Sequence, residues 1–453
     1  MSAIATLAKF IVTAKPPAPA RHRAATAFLD TVGVTLAGAG EPAAKAVQDA
    51  VAAPGTGQSI VFGTPIRTSP GAAALANGTA AHALDYDDMC FVSLAHPSAP
   101  LVPAALAVAE LRAASGQAAL EAYVLGFEIE ARLGIRMQPR HYQRGWHPTS
   151  TLGTLGAAAA ASRLLGLDLD ATSHALAIAA SQASGLKENF GTMIKPLHAG
   201  LAAHNGIMAA LLAERGLTGS ALALDGPQGF LTAMDGQHPD LGDTAADLGT
   251  RWEILDTGIT VKLYPSCAGT HPALDALLLL RRRERFTAAD VEAIEIDVDS
   301  IAPTILIHDR PSSGLEGKFS MPFCAAAAVV HGRVGLDTFE PDVLGDSDVR
   351  ALMSRITMHA DAGFDGAAPP LTQSRVTVRL RDGRTLVQSA HGARGYPDQP
   401  ASDDELAAKF KACASRTLSG AGVERALAML RAIDTAVDVR EVTKSLAGDA
   451  ATG

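Results

Sequence analysis

Asp85, Asp87, Asp88 and His96 fall within twelve residues of one another, in the stretch AAHALDYDDMCFVSLAHPSAPLVPA at residues 80–104. A solvated face scatters its charges, whereas this stretch gathers them between apolar runs, as the wall of a pocket does. His96 is followed by Pro97, and the same pair recurs as His147-Pro148 and His271-Pro272. Proline suits the first turn of a helix, and a serine or threonine nearby can cap it. An imidazole there sits by the positive end of the helix dipole, which favours the neutral ring that a general base needs. Free amides at the same end can receive a carboxylate. One His-Pro pair is an ordinary loop-to-helix junction; His96 and His147 together, with the acids, say more. Two lysines fit the same chemistry. Lys195 lies between Ile194 and Pro196, and Lys262 stands two residues before Tyr264. Each is either a snorkelling surface lysine or a clamp for a substrate carboxylate.

The elements that position these residues are mostly helical. From about residue 20 to 250, PAALAVAELRAAS, LEAYVLGFEIEARLG, TLGTLGAAAAASRLLG, ATSHALAIAASQASG and GLAAHNGIMAALLAERG carry apolar residues at three-to-four spacing. Glycine or a short polar turn closes each one. Alanine and glycine allow close helix approach, so a tight all-α bundle is expected. In ENFGTMIKPLHAG, a turn at Gly191 leads through Lys195 and Pro196 to a helix expected to start near His198. The texture then changes. VEAIEIDVDS alternates as a half-buried strand does, SRITMHAD reads as another strand, and RVTVRLRDGRTLVQSA is a hairpin turning at Asp382-Gly383. With two intervening helices, this predicts a smaller α+β domain over 269–397 with a small antiparallel sheet, after a helical domain over 1–268. Residues 398–453 return to helix and rejoin the first domain. A cleft between two such domains is a common place for a ligand.

Composition narrows the function. The chain has 453 residues, 48% hydrophobic and 19% charged, with a net charge of −9 and no basic run longer than RRRER. That argues against nucleic acid and anionic membrane as partners. A polyanionic substrate therefore needs local cations such as Lys195 and Lys262. Cys90, Cys267, Cys324 and Cys413 form no C-x-x-C pair, which disfavours a disulfide framework or zinc knuckle and fits a reduced cytosol. The first thirty residues lack an acid before Asp30, as transit peptides do. No small-residue cleavage site follows a long apolar core, so a first helix and a proline-rich turn are expected there. No apolar run reaches the length of a membrane span. G-x-S-x-G, a Walker loop, a strand-linked G-x-G-x-x-G and H-E-x-x-H are all absent from the sequence.

Five segments together carry a resemblance: NGTAAHALDYDD, HPSAPLVPAALA, GWHPTSTLGTLGAAAAASRLLGLD, GTMIKPLHAGLAAHNG and VKLYPSCAGTHPALDAL. In this order they resemble the signature segments of the MmgE/PrpD family, which contains 2-methylcitrate dehydratase, cis-aconitate decarboxylase and iminodisuccinate epimerase. The resemblance spans about residues 5 to 440. It implies a mainly α fold, with a large all-helical domain plus a smaller α+β lid, usually as a homodimer; the cysteine usage adds a cytoplasmic location. No metal or organic cofactor is implied. Asp85, His96, His147, Lys195 and Lys262 match the family's active-site positions, and Tyr264 follows the last of them as a substrate-binding candidate. Three positions depart from the decarboxylase pattern. Met89 stands where a threonine follows the acids, in a loop one residue longer. Cys267 stands for a histidine and Phe323 for a tyrosine, and all three are substrate-binding candidates. The departures point away from cis-aconitate decarboxylation, and the YPSC form and the longer acid loop resemble instead the epimerase and a broad bacterial branch of the family. The expected reaction is dehydration of a 2-methylcitrate- or citrate-like acid, with an epimerase of an iminodisuccinate-like acid or a decarboxylase of an aconitate-like acid as alternatives. A catalytically inactive helical scaffold would keep the fold and lose this polar set.

Overall fold

The computed structural model describes residues 2–52, 57–234, 239–365 and 372–448, and it divides into two compact units. The first contains Met1–Val261 and Ser402–Gly453, the second Lys262–Ala401. Lys262, Tyr264 and Cys267 thus belong with the second unit, not with the helical part as the expected boundary at 268/269 had it.

The first unit is a helical bundle whose caps are legible in the sequence. Ser2 caps the helix Ala3–Thr13, Ser69 caps Pro70–His82, Ser115 caps Gly116–Met137 and Asp168 caps Leu169–Gln182. Proline-rich residues 15–17 separate the first helix from Ala18–Gly38. Ser98–Arg112, Pro148–Leu165 and Ile194–Glu214 complete the central set. Ser402 and Glu405 form a capping box that opens Asp403–Ala414, the first returning helix. Its Lys409 pairs with Asp30 of Ala18–Gly38 at 2.6 Å. Small residues set the helix spacing. A Cβ on Gly78 would lie 2.9 Å from Gly200 Cα, so Pro70–His82 and Ile194–Glu214 touch backbone to backbone. Gly126 and Gly156 do the same for Gly116–Met137 and Pro148–Leu165.

Two stretches differ from the all-helical expectation. Strands β1 (Ser59–Ile60) and β2 (Arg67–Thr68) form a minimal antiparallel pair. Among the described residues from 217 to 261 there are only single turns of helix, at Phe230–Met234, Gly242–Ala245 and Glu253–Asp256. Glycine, proline and aspartate dominate that segment and interrupt helix propagation. The helix carrying Lys195 begins at Ile194 rather than near His198. Pro196 falls in its first turn, where no intrahelical N–H is missed.

In the second unit, β3 (Val291–Val298), β4 (Ile356–Ala360), β5 (Gln373–Leu380) and β6 (Thr385–His391) form one sheet in the order β4-β3-β5-β6. The β5–β6 hairpin turns at Asp382-Gly383, with Gly383 at φ +89°. The sheet is mixed, not antiparallel: β3 and β4 run parallel, with Ile294 opposite Ile356 on one side and Val378 on the other. The connection from β3 to β4 contains the helix Met321–His331, and parallel neighbours need such a crossover. Ser374, Val376, Val378 and Leu380 give β5 one buried face. That face shares an apolar core with His271–Glu284 and Met321–His331.

Candidate active site

The helical unit brings Asp85, His96, His147 and Lys195 into one buried cluster. The loop between Pro70–His82 and Ser98–Arg112 carries the acids. It is pinned by backbone pairing of Met89 with Thr260 and of Cys90 with Ala95. Asp85 takes a left-handed conformation, φ 51°, which non-glycine residues adopt rarely and mostly as Asp or Asn. Its carboxylate meets the Lys195 ammonium at 2.5 Å, with both side chains almost wholly buried. Phe190 lies under that ammonium, its ring centre 5.5 Å away.

Asp87 holds two imidazoles. His82 Nδ1 is 2.7 Å from Asp87 Oδ2, and His96 Nδ1 is 3.3 Å from the same oxygen, off the line of a full hydrogen bond. The His82 and His96 ring centres are 4.6 Å apart. Burial alone would raise the Asp87 carboxyl, but the two imidazoles hold it well below the usual range. Burial drives His82 the other way, down to about 4, against the pull of Asp87. His82 is therefore neutral, with its proton on Nδ1 toward Asp87 and its buried Nε2 without a hydrogen-bond partner among the described residues.

His147 is the residue before Pro148–Leu165, and its N–H donates to Gly185 at 3.0 Å. Its Nδ1 lies 3.0 Å from Nδ1 of His198, so one ring donates and the other accepts. Its ring stacks on His82 with centres 5.7 Å apart and lies edge-to-face with Phe190, centres 4.8 Å apart. His147 is held well below the ordinary histidine range chiefly by burial, then by His82, Lys195 and the other rings. The helix end is thus not the main reason that this ring is neutral. His96 donates its backbone N–H to Thr149 Oγ1 at 3.0 Å, which ties the two His-Pro junctions together.

His82, His198 and Phe190 join the site without having been singled out in the sequence. His82 and His198 sit on two helices that touch at Gly78 and Gly200, so a polar residue facing a glycine contact was the available signal. Among the described residues, His82, Asp85, Asp87 and His96 have metal-competent atoms within 4.8 Å of one another. The Lys195 ammonium already neutralises Asp85, and the imidazoles already engage Asp87. The cluster therefore reads as proton-transfer machinery with a built-in cation.

The other candidates behave differently. Met89 is half-buried and contributes its backbone to the Thr260 bridge. In the second unit, Lys262 is fully buried. The Tyr264 hydroxyl donates to Asp275 at 2.5 Å and receives an Arg394 N–H at 2.9 Å. Cys267 is half-buried, and its N–H donates to Lys318 at 3.0 Å. Phe323 is 1% exposed and packs on Phe339 in the apolar core. His271, the third His-Pro histidine, starts a helix of the second unit and bonds Ser266 at 3.1 Å.

Comparison with known proteins adds a direct likeness. Models of the MmgE/PrpD N-terminal and C-terminal domains match residues 3–241 and 264–435. A cis-aconitate decarboxylase-like protein of Aspergillus oryzae is 32% identical over 98% of this chain and 97% of its own length. The cis-aconitate decarboxylase of Mus musculus is 30% identical over 94% of this chain and 89% of its own. That of Aspergillus terreus is 25% identical over 98% and 95%.

Proposed function

The chain belongs to the MmgE/PrpD family of enzymes, and from that premise we propose that it is a lyase decarboxylating a small, aconitate-like polycarboxylate. The observation that carries the reading is the single buried cluster of Lys195–Asp85, His82–Asp87–His96 and His147–His198. Loss of CO2 leaves an electron pair on the carbon it departs from, and a neighbouring carboxylate or double bond takes up that charge. Lys195 is the cation available to hold a substrate carboxylate in place of Asp85. His96, with Asp87 behind its Nδ1, is positioned to give a proton through Nε2. Neutral His147 is the second group able to exchange one. The relatives named cis-aconitate decarboxylase favour decarboxylation over the dehydration that the sequence pattern suggested. The reaction needs only these side chains and the substrate, and we place it in a cytoplasmic homodimer.

A second reading, dehydration of a citrate-like acid, is kept open by Met89, Cys267 and Phe323, which depart from the threonine, histidine and tyrosine of the decarboxylase pattern. Incubation with citrate- and aconitate-like acids in deuterated water, followed by NMR, separates the two. Decarboxylation yields a product one carbon shorter with one deuterium on carbon. Dehydration yields an alkene of unchanged carbon count, and epimerisation exchanges a proton without loss of mass. If no acid is converted and none takes up deuterium, the assignment fails.

A further inference from the structure

We propose that Asp88 is a positioning residue: its carboxyl fastens the start of the helix Ser98–Arg112 and so holds His96 against Asp87. This rests on the proton-transfer role of His96 proposed above. Asp88 follows Asp87 in the chain, but its side chain meets a different set of groups. Ser98 donates its N–H to Asp88 Oδ1 at 3.2 Å and bonds Oδ2 through its hydroxyl, so one residue meets both carboxyl oxygens. The Ser98 hydroxyl is also 2.6 Å from Tyr123 Oη. Ser98 is the first helical residue and lies two positions after His96. The clasp therefore fixes the backbone from which the imidazole reaches Asp87 at 3.3 Å.

The surroundings keep that carboxyl neutral. Asp88 has no exposed surface and no cationic partner in contact among the described residues. Asp87 precedes it with a full negative charge. From Gly116–Met137 it faces Tyr123 and Glu130, and both Glu130 oxygens are buried without a hydrogen-bond partner among the described residues. From Ala18–Gly38 it feels Asp30, whose charge is matched by Lys409 of Asp403–Ala414. Cys90 lies on its own loop beside Glu130, with a thiol pushed up to about 12 by burial. A lone carboxylate in such a place is costly, and the group keeps its proton instead. Burial first, then Asp30 and Asp87, lift Asp88 to about 8, against the Ser98 hydrogen bonds. Deprotonation above that point would leave the Ser98 hydrogen bonds in place but put a second negative charge beside Asp87, which changes the field at His82 and His96.

A neutral acid and an amide present the same pair of groups to Ser98: an oxygen that accepts its N–H, and a donor toward its hydroxyl, which can turn to Tyr123. Asp88→Asn should therefore keep kcat within about tenfold at pH 7, whereas Asp88→Leu should lose about 10²-fold in kcat with little change in KM. The unaltered enzyme should lose kcat/KM with one proton near pH 8, and that alkaline limb should be missing in Asp88→Asn. An Asn variant as impaired as the Leu variant, or one that keeps the limb, would overturn the proposal. Infrared difference spectra of the unaltered protein and Asp88→Asn decide it without any substrate. At pH 6.5 the unaltered protein should show one additional carbonyl band of a protonated carboxyl, fading as pH passes 8. Absence of that band rejects the neutral acid even if no acid in the substrate panel is turned over.

Discussion

Asp87 carries two imidazoles on one oxygen, and that sharing defines what each can do. With Asp87 ionised, His82 turns its Nδ1–H to it and His96 faces it with Nδ1, which leaves their Nε2 atoms as the exchangeable positions. Asp87→Asn keeps the shape and removes the charge. It should lower kcat by about 10²–10⁴-fold, the usual worth of a positioned acid–base group, while leaving substrate binding nearly intact. Steady-state kinetics on the converted acid checks this, and an unchanged kcat would take His96 out of the chemistry. Lys195 makes a complementary prediction. Lys195→Met takes the ammonium away from the buried Asp85 carboxylate, which should destabilise the protein by about 3–5 kcal/mol and weaken substrate binding by about 1.5–3 kcal/mol. Adding Asp85→Asn should restore most of the stability but not the binding. Urea unfolding and substrate titration of the single and double variants separate the two effects. Asp85, His96, His147 and Lys195 were recognisable in the sequence because each interrupts an apolar run beside a proline, a glycine or another acid. His82 and His198 were not, because inside an alanine-rich helix a histidine looks like an ordinary polar position until the facing helix is known.

The helices reach their site geometry through glycine. Pro70–His82 ends in His82, and Ile194–Glu214 begins with Lys195 and His198; they meet where Gly78 lies against Gly200. A side chain at Gly78 would press on the Gly200 backbone at 2.9 Å, and backbone cannot swing aside as a flexible side chain can. Gly78→Val should therefore cost about 1–3 kcal/mol, the usual penalty of overpacking a tight core, and part His82 from Lys195. The expected result is a lower unfolding midpoint together with reduced kcat. A midpoint equal to that of the parent would show that the crossing has slack. At this scale the sequence was most informative where structure is local. Helices with caps, the strand VEAIEIDV and the Asp382-Gly383 hairpin are set by residues close in the chain. The parallel pairing of β3 with β4 and the early start of the Lys195 helix were missed. The first depends on a crossover of dozens of residues, and in the second a proline was read as a boundary although it sits harmlessly in a first turn.

Taken as a whole, the helical unit buries ionisable groups that resist titration in opposite directions. Burial lowers His82 to about 4 and also lowers His147 and His198. Burial lifts Asp88 to about 8, Glu110 and Glu128 to about 7, and Glu130 well above its ordinary value. The histidines bind protons in the unfolded chain below about pH 6.5 but not in the fold. Their contribution is complete above that pH and is lost as pH falls toward 4. The carboxyls do the reverse. The fold keeps protons that the unfolded chain releases near pH 4, so their contribution is complete below that point and is lost as pH rises through 7 and 8. Above pH 6.5 only the carboxyls still contribute a slope. Each proton held by the fold alone then removes about 1.4 kcal/mol per pH unit. The urea midpoint should therefore fall between pH 6.5 and 8.5, a range where many proteins hold their stability. Both tryptophans, Trp146 and Trp252, lie in this unit, so selectively excited tryptophan fluorescence follows its unfolding. Asp88→Asn should flatten part of the decline, because the amide has no proton to lose. A midpoint that holds steady or rises up to pH 8.5 would mean that these acids are ionised in the fold and that their charge is met by groups other than protons.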